Sequence, residues 1–272
     1  MTTAQKVIKY LALAFAVFLI VSIFSAILSI TYEGLYAVGA IKDNSIMSEA
    51  QVITNDNDIL TSIIVDSKSS DVVIKTGDKF SVETNNKNVS YENENGKVLV
   101  KERKITKLFW RDKNEGTITV TIPSNITLDS FVLNSGFGLI TVDGIVANHT
   151  DFSLGAGSVK ISNIKSLVET KINGGAGEVL IDNSILTNVD FDLGVGRTTI
   201  NAYMYGSSKI DAGIGEVNIN LLDSVDKYRV KVDKGIGSVK YNGENVGNTT
   251  IGTGINYIDI DGGIGSINIT TK

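Results

Sequence analysis

The chain has 272 residues, enough for one large domain or for a domain with an anchor, and 42% of them are apolar, which is enough to fill a core. Its formal net charge of −5 argues against nucleic acid as a main partner, because phosphate binding needs a concentrated basic surface. The absence of cysteine excludes disulfides, thiolate chemistry and anchoring through a lipidated cysteine.

The first segment along the chain carries a membrane signal. The stretch "LALAFAVFLIVSIFSAILSI" at 11–30 contains no charged residue, and about 20 apolar residues are what a helix needs to cross a bilayer. Lys6 and Lys9 precede it, so the positive-inside rule places residues 1–10 in the cytoplasm. The sequence predicts a single transmembrane helix at 11–31 in the cell membrane, with the C-terminal domain on the extracytoplasmic side.

A cleaved signal peptide is the alternative for this segment, since "AVG" at 37–39 offers the small residues that a signal peptidase reads. The apolar run is longer than the usual 7–15 residues of a signal peptide, which favours the anchor. Residues 32–60, with the polar stretch at 42–58, are interpreted as a juxtamembrane linker. Both alternatives place the rest of the chain outside the cytoplasm.

Strand-type alternation begins near residue 61 and continues to the C-terminus. Residues 61–130 contain irregularly spaced strand patterns such as "DVVIKTGDKFSVETN", "KVLVKER" and "GTITVTIPSN". Pro123 lies at the end of the last of these, where it donates to no ladder. We predict that this region forms wider opening coils or a cap over the exposed end of the fold.

A basic segment, "KERKITKLFWRDK" at 101–113, interrupts this acidic chain. Basic side chains around aromatic ones are typical of contacts with anionic headgroups, wall polymers or acidic partners. The alternative is a hairpin whose aromatics cover the core and whose charges are only solvated. The candidate contact residues are Lys101, Arg103, Lys104, Lys107, Phe109, Trp110, Arg111 and Lys113.

From residue 131 to 272 the chain repeats the phrase Gly-x-Gly-x-h-x-h, where h is apolar. The first glycines lie at 136, 155, 175, 194, 213, 235 and 263, mostly about 20 residues apart. A fixed period of this length with strand alternation predicts a β-solenoid, in which consecutive repeats are stacked neighbours. The C-terminal repeat, "GIGSINITTK", would then leave an open end available for pairing.

Stacking predicts columns of inward side chains. Three of them are Leu133, Phe152, Ile172, Phe191, Ile210, Val232 and Ile260; Ile140, Val159, Val179, Thr198, Val217, Val239 and Ile267; and Val142, Ile161, Ile181, Ile200, Ile219, Tyr241 and Ile269. A fourth, mainly apolar, lies five residues before each first glycine. The glycines are expected at one sharp corner of each coil, where a Cβ would obstruct the backbone.

Two polar columns accompany the core. At a second corner, Asp143, Ser162, Asp182, Asn201, Asn220 and Asn242 are expected to hydrogen-bond their own turns. On the outside, Ser158, Glu178, Arg197, Glu216 and Ser238 follow each other, and the central three alternate in sign. Alternating charges on neighbouring strands favour this register, although each exposed pair adds only a few tenths of a kcal/mol.

The run "GTITVTIPSNITLDSFVLNSGFGLITVDG", followed by Gly-x-Gly strand repeats behind one membrane helix, resembles the bacterial adhesin-like β-strand-repeat family, also called toast-rack domains. The resemblance covers about 61–272. It implies a bacterial cell-envelope protein with a β-helix-like ectodomain. The family has no established catalytic residues, so the resemblance transfers no site.

An outward acidic stripe, Asp192, Asp211, Asp233 and Asp261, lies two residues before the later first glycines. Stacked carboxylates are a candidate Ca²⁺ site. The alternative is a hydrated stripe neutralised by Lys171, Lys209 and Lys231, two positions earlier. The Ca²⁺-binding pattern Gly-Gly-x-Gly-x-Asp is not met, because Val179 and Ile267 stand where aspartate is required.

Catalysis is not expected, and neither is a cofactor or a bound metal. His149 is the only histidine, with no Gly-x-Ser-x-Gly elbow beside it. The sequence favours a non-enzymatic, membrane-anchored scaffold, sensor or interaction module that contacts an envelope protein or a wall polymer. A surface adhesin or glycan binder is the alternative, which should expose rows of aromatics. A polysaccharide-active β-helix enzyme would need paired carboxylates beside a groove.

Overall fold

The structure, a computed structural model, describes residues 46–53, 59–103 and 116–272. These residues form an all-β fold, as predicted, and its helical part is a single 3-10 turn at Val225–Lys227. Within these ranges no helix is long and apolar enough to cross a membrane. The predicted transmembrane helix at 11–31 and the predicted cytoplasmic tail at 1–10 lie outside them.

The strands of the described ranges hydrogen-bond into one continuous sheet that winds as a solenoid. They are β1 (Ile46–Val52), β2 (Ser62–Ser67), β3 (Asp71–Gly77), β4 (Ser81–Asn86), β5 (Val89–Glu94), β6 (Lys97–Glu102), β7 (Thr117–Pro123), β8 (Leu128–Asp143), β9 (Val146–Ser162), β10 (Lys165–Asn173), β11 (Ala176–Thr187), β12 (Val189–Asp192), β13 (Val195–Tyr205), β14 (Ser207–Asp211), β15 (Ile214–Leu221), β16 (Tyr228–Asp233), β17 (Ile236–Tyr241), β18 (Glu244–Val246), β19 (Thr249–Ile251), β20 (Asn256–Asp261) and β21 (Ile264–Thr271). In each repeat, one strand enters the glycine corner and one leaves it, and β8 and β9 continue through the corner.

The predicted inward columns are confirmed. Every side chain of the three columns named above is buried, and so is the fourth column, which runs from Phe131 to Ile258. The rings of Phe131 and Phe152 lie 5.8 Å apart in tilted contact. Parallel pairing aligns each residue with its equivalent in the next coil, for example Ile172 with Phe191. The core is therefore a stack of like side chains about 4.8 Å apart.

The coils do not stack in chain order, contrary to the prediction. The last coil in the sequence, β20–β21, pairs on one side with β14–β15 and on the other with β16–β17. At the other end, β2–β3 comes first in the chain but lies between β6–β7 and β8. The repeat "GIGSINITTK" is thus an interior rung, so it offers no open end for pairing.

Antiparallel strands cover both ends of the described stack. β5 pairs with β6 and β4 pairs with β7 at one end. At the other, β18 pairs with β17 and β19 with β16. Both outermost coils therefore have their hydrogen-bonding groups taken by short reversed strands, which limits end-to-end aggregation of the solenoid.

At the polar second corner, side chains of neighbouring coils hydrogen-bond to one another. The sequence had predicted hydrogen bonds within each turn instead. The Asn201 side-chain amide donates to Asp182 Oδ1 at 3.0 Å, and Asn220 donates to Asn201 Oδ1 at 2.6 Å. A parallel run links Asn183 to Asn163 at 2.7 Å. Stacked equivalents lie one rung apart, within reach of a side-chain amide, so each satisfies its neighbour rather than its own backbone.

One carboxylate is buried near the β2–β3 turn. Glu102, at the end of β6, is 5% exposed. Its Oε2 accepts the backbone N–H groups of Lys68, Ser69 and Ser70 at 2.8–3.1 Å, and its Oε1 accepts the Asn86 side-chain amide at 3.0 Å. Burial raises the pKa of Glu102, but these N–H donors outweigh burial and hold the pKa below its usual range.

Candidate functional site

The glycine corner is the most regular outward feature of the repeats. The second glycines run in register through the stack and take positive φ angles, such as +140° at Gly196. A Cβ on Gly196 would lie 1.9 Å from the carbonyl oxygen of Gly177 in the next coil. Only glycine permits this backbone conformation together with this close approach, which is why the phrase recurs.

The residue between the two glycines points outward in every repeat and is apolar. In stacking order this apolar row reads Phe137, Ala156, Ala176, Val195, Ile214, Ile264 and Ile236. Val195, Ile214, Ile264 and Ile236 are between 42 and 68% exposed. Four adjacent, large aliphatic side chains in water are unusual for a protein surface and indicate a contact site.

This row was not predicted from the sequence, in which the outward columns were expected to be polar. The signal was present at the central position of Gly-x-Gly, which reads Phe, Ala, Ala, Val, Ile, Ile and Ile. In a regular strand this position would belong to one of two alternating faces. The alternation changes phase at the corner, because Leu193 is buried whereas Val195, two residues later, is exposed to solvent.

A groove follows the glycine corner and encloses about 700 Å³ of space, part of it open to solvent. The apolar row lines one part of it, and the residue before each first glycine lines another. That second set is uneven in size and in stacking order reads Ser135, Leu154, Gly174, Leu193, Ala212, Gly262 and Lys234. The lining of the groove is therefore uneven and mainly apolar, with one lysine at its end.

The acidic stripe flanks the groove on one side. Its stacking order is Asp192, Asp211, Asp261 and Asp233. The Lys209 ammonium lies 2.7 Å from Asp211 and 3.7 Å from Asp261, and its hydrogen bond to Asp211 raises the pKa of Lys209. Lysines two residues earlier in the chain thus form exposed ion pairs with carboxylates of the stripe, each worth little alone.

Three carboxylates, those of Asp233, Asp259 and Asp261, have oxygen atoms within 4.8 Å of one another. The Lys231 ammonium lies 2.7 Å from Asp233 and 3.1 Å from Asp259. Hydrogen bonds to these two aspartates raise the pKa of Lys231. An internal cation therefore occupies the position where Ca²⁺ would need oxygen ligands alone.

A mixed charged row flanks the groove on the other side. Arg197 Nε donates to Glu216 Oε2 at 3.2 Å, and Glu178 pairs in register with Arg197 on its other side. Beyond Glu216 the row continues with Ser266 and then Ser238, because of the exchanged coils. The apolar row is therefore bordered by polar side chains on both sides.

The predicted basic contact lies largely outside the described residues. Lys101 and Arg103 are exposed at the end of β6. The other six residues, Lys104, Lys107, Phe109, Trp110, Arg111 and Lys113, fall in the range 104–115, which is not described. His149 is exposed, and its ring Nδ1 lies 3.2 Å from the backbone carbonyl of Asp129.

Solved structures from three bacteria are similar to this chain. A candidate cell adhesion protein from Clostridium sporogenes ATCC 15579 is 15% identical, with a TM-score of 0.39, covering 82% of this chain and 98% of that one. A candidate adhesin from Bacteroides fragilis NCTC 9343 is 11% identical, with a TM-score of 0.30 and coverage of 80% and 97%. A candidate lipid-binding protein from Parabacteroides distasonis ATCC 8503 is 16% identical, with a TM-score of 0.36 and coverage of 81% and 96%.

No curated protein matches the chain significantly. The sequence profile described as Toastrack DUF4097 matches residues 51–263. This range contains six of the seven residues of the apolar row, with Ile264 one residue beyond its end, and most of the flanking coils. The stacked coils, the repeated Gly-x-Gly corner and this match lead to one conclusion: the chain belongs to the toast-rack domain family.

Proposed function

We propose that this protein is a non-enzymatic interaction module of the cell envelope, and that its glycine corner is the surface that contacts a protein partner. The observation that carries the proposal is the exposed aliphatic row from Val195 to Ile236, held in place by a rigid ladder of glycines. Interface cores are depleted in charge and ringed by polar residues. The row and its two flanks have that composition.

The chemistry of the row favours a protein over a glycan or a membrane. Glycan-binding surfaces stack sugars on aromatic rings, whereas the row is aliphatic from Ala156 to Ile236. Anionic lipid surfaces attract basic side chains and repel acidic ones, and the stripe beside the row carries Asp192, Asp211, Asp233 and Asp261. An aliphatic face with mixed polar borders matches a protein surface of the same kind.

Anchoring is part of the proposal and is supported by the uncharged run at 11–30 with Lys6 and Lys9 before it. The chain contains no cysteine, so single cysteines report topology without background. Ser207→Cys in the solenoid should react with a membrane-impermeant maleimide on intact cells, and Thr3→Cys only after lysis. Labelling of both residues on intact cells would contradict the assigned orientation.

The contact surface is tested by a photo-reactive amino acid placed at Ile214 of the full-length protein in its native host. Recurrent protein adducts, identified by mass spectrometry, are expected from this position. The same residue placed at Ile255, which is 90% exposed and precedes β20 at the opposite end of that strand from the glycine corner, serves as the control. Equal adducts from both positions, or polymer adducts from Ile214, would refute the assigned contact.

The basic segment at 101–113 is proposed as a separate, weaker contact with anionic surfaces. Six basic side chains around three apolar ones support it. Full-length protein in nanodiscs should float with anionic vesicles and lose this on combining Arg111→Glu with Trp110→Ala. Unchanged flotation of that variant would remove the segment from the proposal.

A further inference from the structure

We propose that the partner of the glycine corner is a second copy of this chain, packed antiparallel with its two-fold axis at Val195. This inference rests on the proposed function and specifies the occupant of the same surface. Val195 lies on the fourth of the seven stacked glycine rungs, with three on each side. A two-fold axis there superimposes the whole apolar row of one copy on that of the other.

Side-chain sizes along the row complement each other in this arrangement. On one side of Val195 the two nearest rungs are small, with Ala176 and Ala156, and on the other the two nearest are large, with Ile214 and Ile264. Reversal places Ala176 opposite Ile214 and Ala156 opposite Ile264. Two of the three isoleucines then face an alanine, so large side chains fit into the spaces that small ones leave, and at the two ends of the row Ile236 faces Phe137. A parallel arrangement in register would oppose isoleucine with isoleucine.

The charges of the acidic stripe also suit the reversed arrangement. In stacking order the stripe reads Asn134, Ser153, Asn173, Asp192, Asp211, Asp261 and Asp233, neutral in one half and acidic in the other. A two-fold axis at the fourth rung sets the acidic half of one copy against the neutral half of the other. Along this stripe the carboxylates therefore face amide and hydroxyl groups, and like charges meet at Asp192 alone.

The mixed charged row on the other side of the groove has one cation, Arg197, between two anions, Glu178 and Glu216. Under the same axis, the second copy's Arg197 lies level with Arg197, and the second copy's Glu216 lies level with Glu178. Each guanidinium is offset by one rung, about 4.8 Å along the stack, from the carboxylates of the other copy, so a favourable pair across the interface must run diagonally. Charges of this kind set orientation and register more than affinity.

The area is sufficient for a weak but specific dimer. Seven rungs at about 4.8 Å span roughly 30 Å, and the strip between the two polar borders is about 15–20 Å wide. Two such strips bury about 1,000 Å² in total, the lower limit for a specific interface. Membrane anchoring would add to this by confining both copies to one plane, which raises their effective concentration.

The oligomeric state of the full-length protein in detergent micelles or single nanodiscs tests the inference first. Sedimentation velocity over a wide concentration range should show a monomer–dimer equilibrium that shifts at least tenfold toward monomer in Ile214→Glu. Ile255→Glu, the matched control outside the corner, should leave the equilibrium unchanged. A monomer at all concentrations, or equal effects of both variants, would overturn the inference.

Single cysteines test the register. A bis-maleimide reagent of about 10 Å, the distance between packed sheets, should link two copies of Val195→Cys. Ala156→Cys should link to Ile264→Cys in a differently tagged copy, and neither should link to itself. Self-linking of Ala156→Cys with no mixed product would show a parallel arrangement and overturn the proposal.

Failure of this inference is distinguishable from failure of the proposed function. If Ile214 crosslinks to a different protein in the host while Val195→Cys forms no dimer, the interaction module stands and the second copy is refuted. If Ile214 crosslinks to nothing and the chain is monomeric, both are refuted.

Discussion

Glu102 offers the sharpest test of how this fold is held together, because one buried carboxylate joins β6 to the β2–β3 turn. We expect Glu102→Gln to destabilise the protein strongly at neutral pH. The carboxylate accepts three backbone N–H groups through one oxygen and the Asn86 amide through the other. Glutamine keeps the size, but it replaces an acceptor by an amide donor and removes the charge.

The magnitude follows from those bonds. A hydrogen bond to a charged group contributes about 1.5–3 kcal/mol, against about 1 kcal/mol for a neutral pair. If the side-chain oxygen of the new glutamine still accepts the N–H groups of the β2–β3 turn, its NH₂ group faces the NH₂ group of Asn86. Two buried donors then face each other without an acceptor. Because contributions within one network are not additive, we expect a loss of about 2–4 kcal/mol.

The assay is urea unfolding of the full-length protein, followed by far-ultraviolet circular dichroism as the pH is lowered. The folded pKa of Glu102 lies below its unfolded value of about 4.3. Its contribution is therefore fully present above that pH and is lost as the pH falls through the folded pKa. Glu94→Gln, an exposed change on β5, is the control. A wild-type advantage over Glu102→Gln that stays constant on acidification would refute the reasoning.

Three further predictions concern the repeats. Gly196→Ala should lower the free energy of unfolding by about 2 kcal/mol or more. Gly247→Ala is the control and should change it little, because an added Cβ there would meet no atom within 4 Å. Equal melting temperatures of the two variants would contradict this. Phe191→Ala should cost about 3–5 kcal/mol in urea unfolding, since the ring is fully buried, and a loss under about 1 kcal/mol would show a poorly packed column. The wild-type protein should show no Ca²⁺-dependent rise in melting temperature. Lys231→Met should show one, because this change removes the ammonium from between two aspartates. A rise in the wild-type protein would restore the Ca²⁺ hypothesis.

Local periodicity made the core predictable. Each inward column, such as that from Leu133 to Ile260, places mainly apolar side chains at one position of the Gly-x-Gly phrase, and every member is buried. The glycine corner was predictable for the same reason, since a turn with positive φ is a local requirement. These features depend on residues within one coil or on its equivalent in the next.

The order of the coils was not predictable, because equivalent coils are interchangeable in sequence. Ile210 pairs with Ile260, while consecutive stacking predicted Val232 as its neighbour, and all three are aliphatic side chains of similar size. Nothing in the repeat distinguishes the two neighbours. The long interval between the last two repeats, residues 242–255, contains the antiparallel strands β18 and β19, and it marks the exchange only in retrospect.

The exchange of coils at both ends determines how such a protein can change in length. A repeat array whose last unit is also last in the stack can gain or lose units at its terminus. Here the final coil, β20–β21, is enclosed by coils on both sides, so a unit added after it would find no free edge beside it. Duplication or deletion must instead occur among the consecutive coils from β9 to β15, with both ends inherited as fixed pieces.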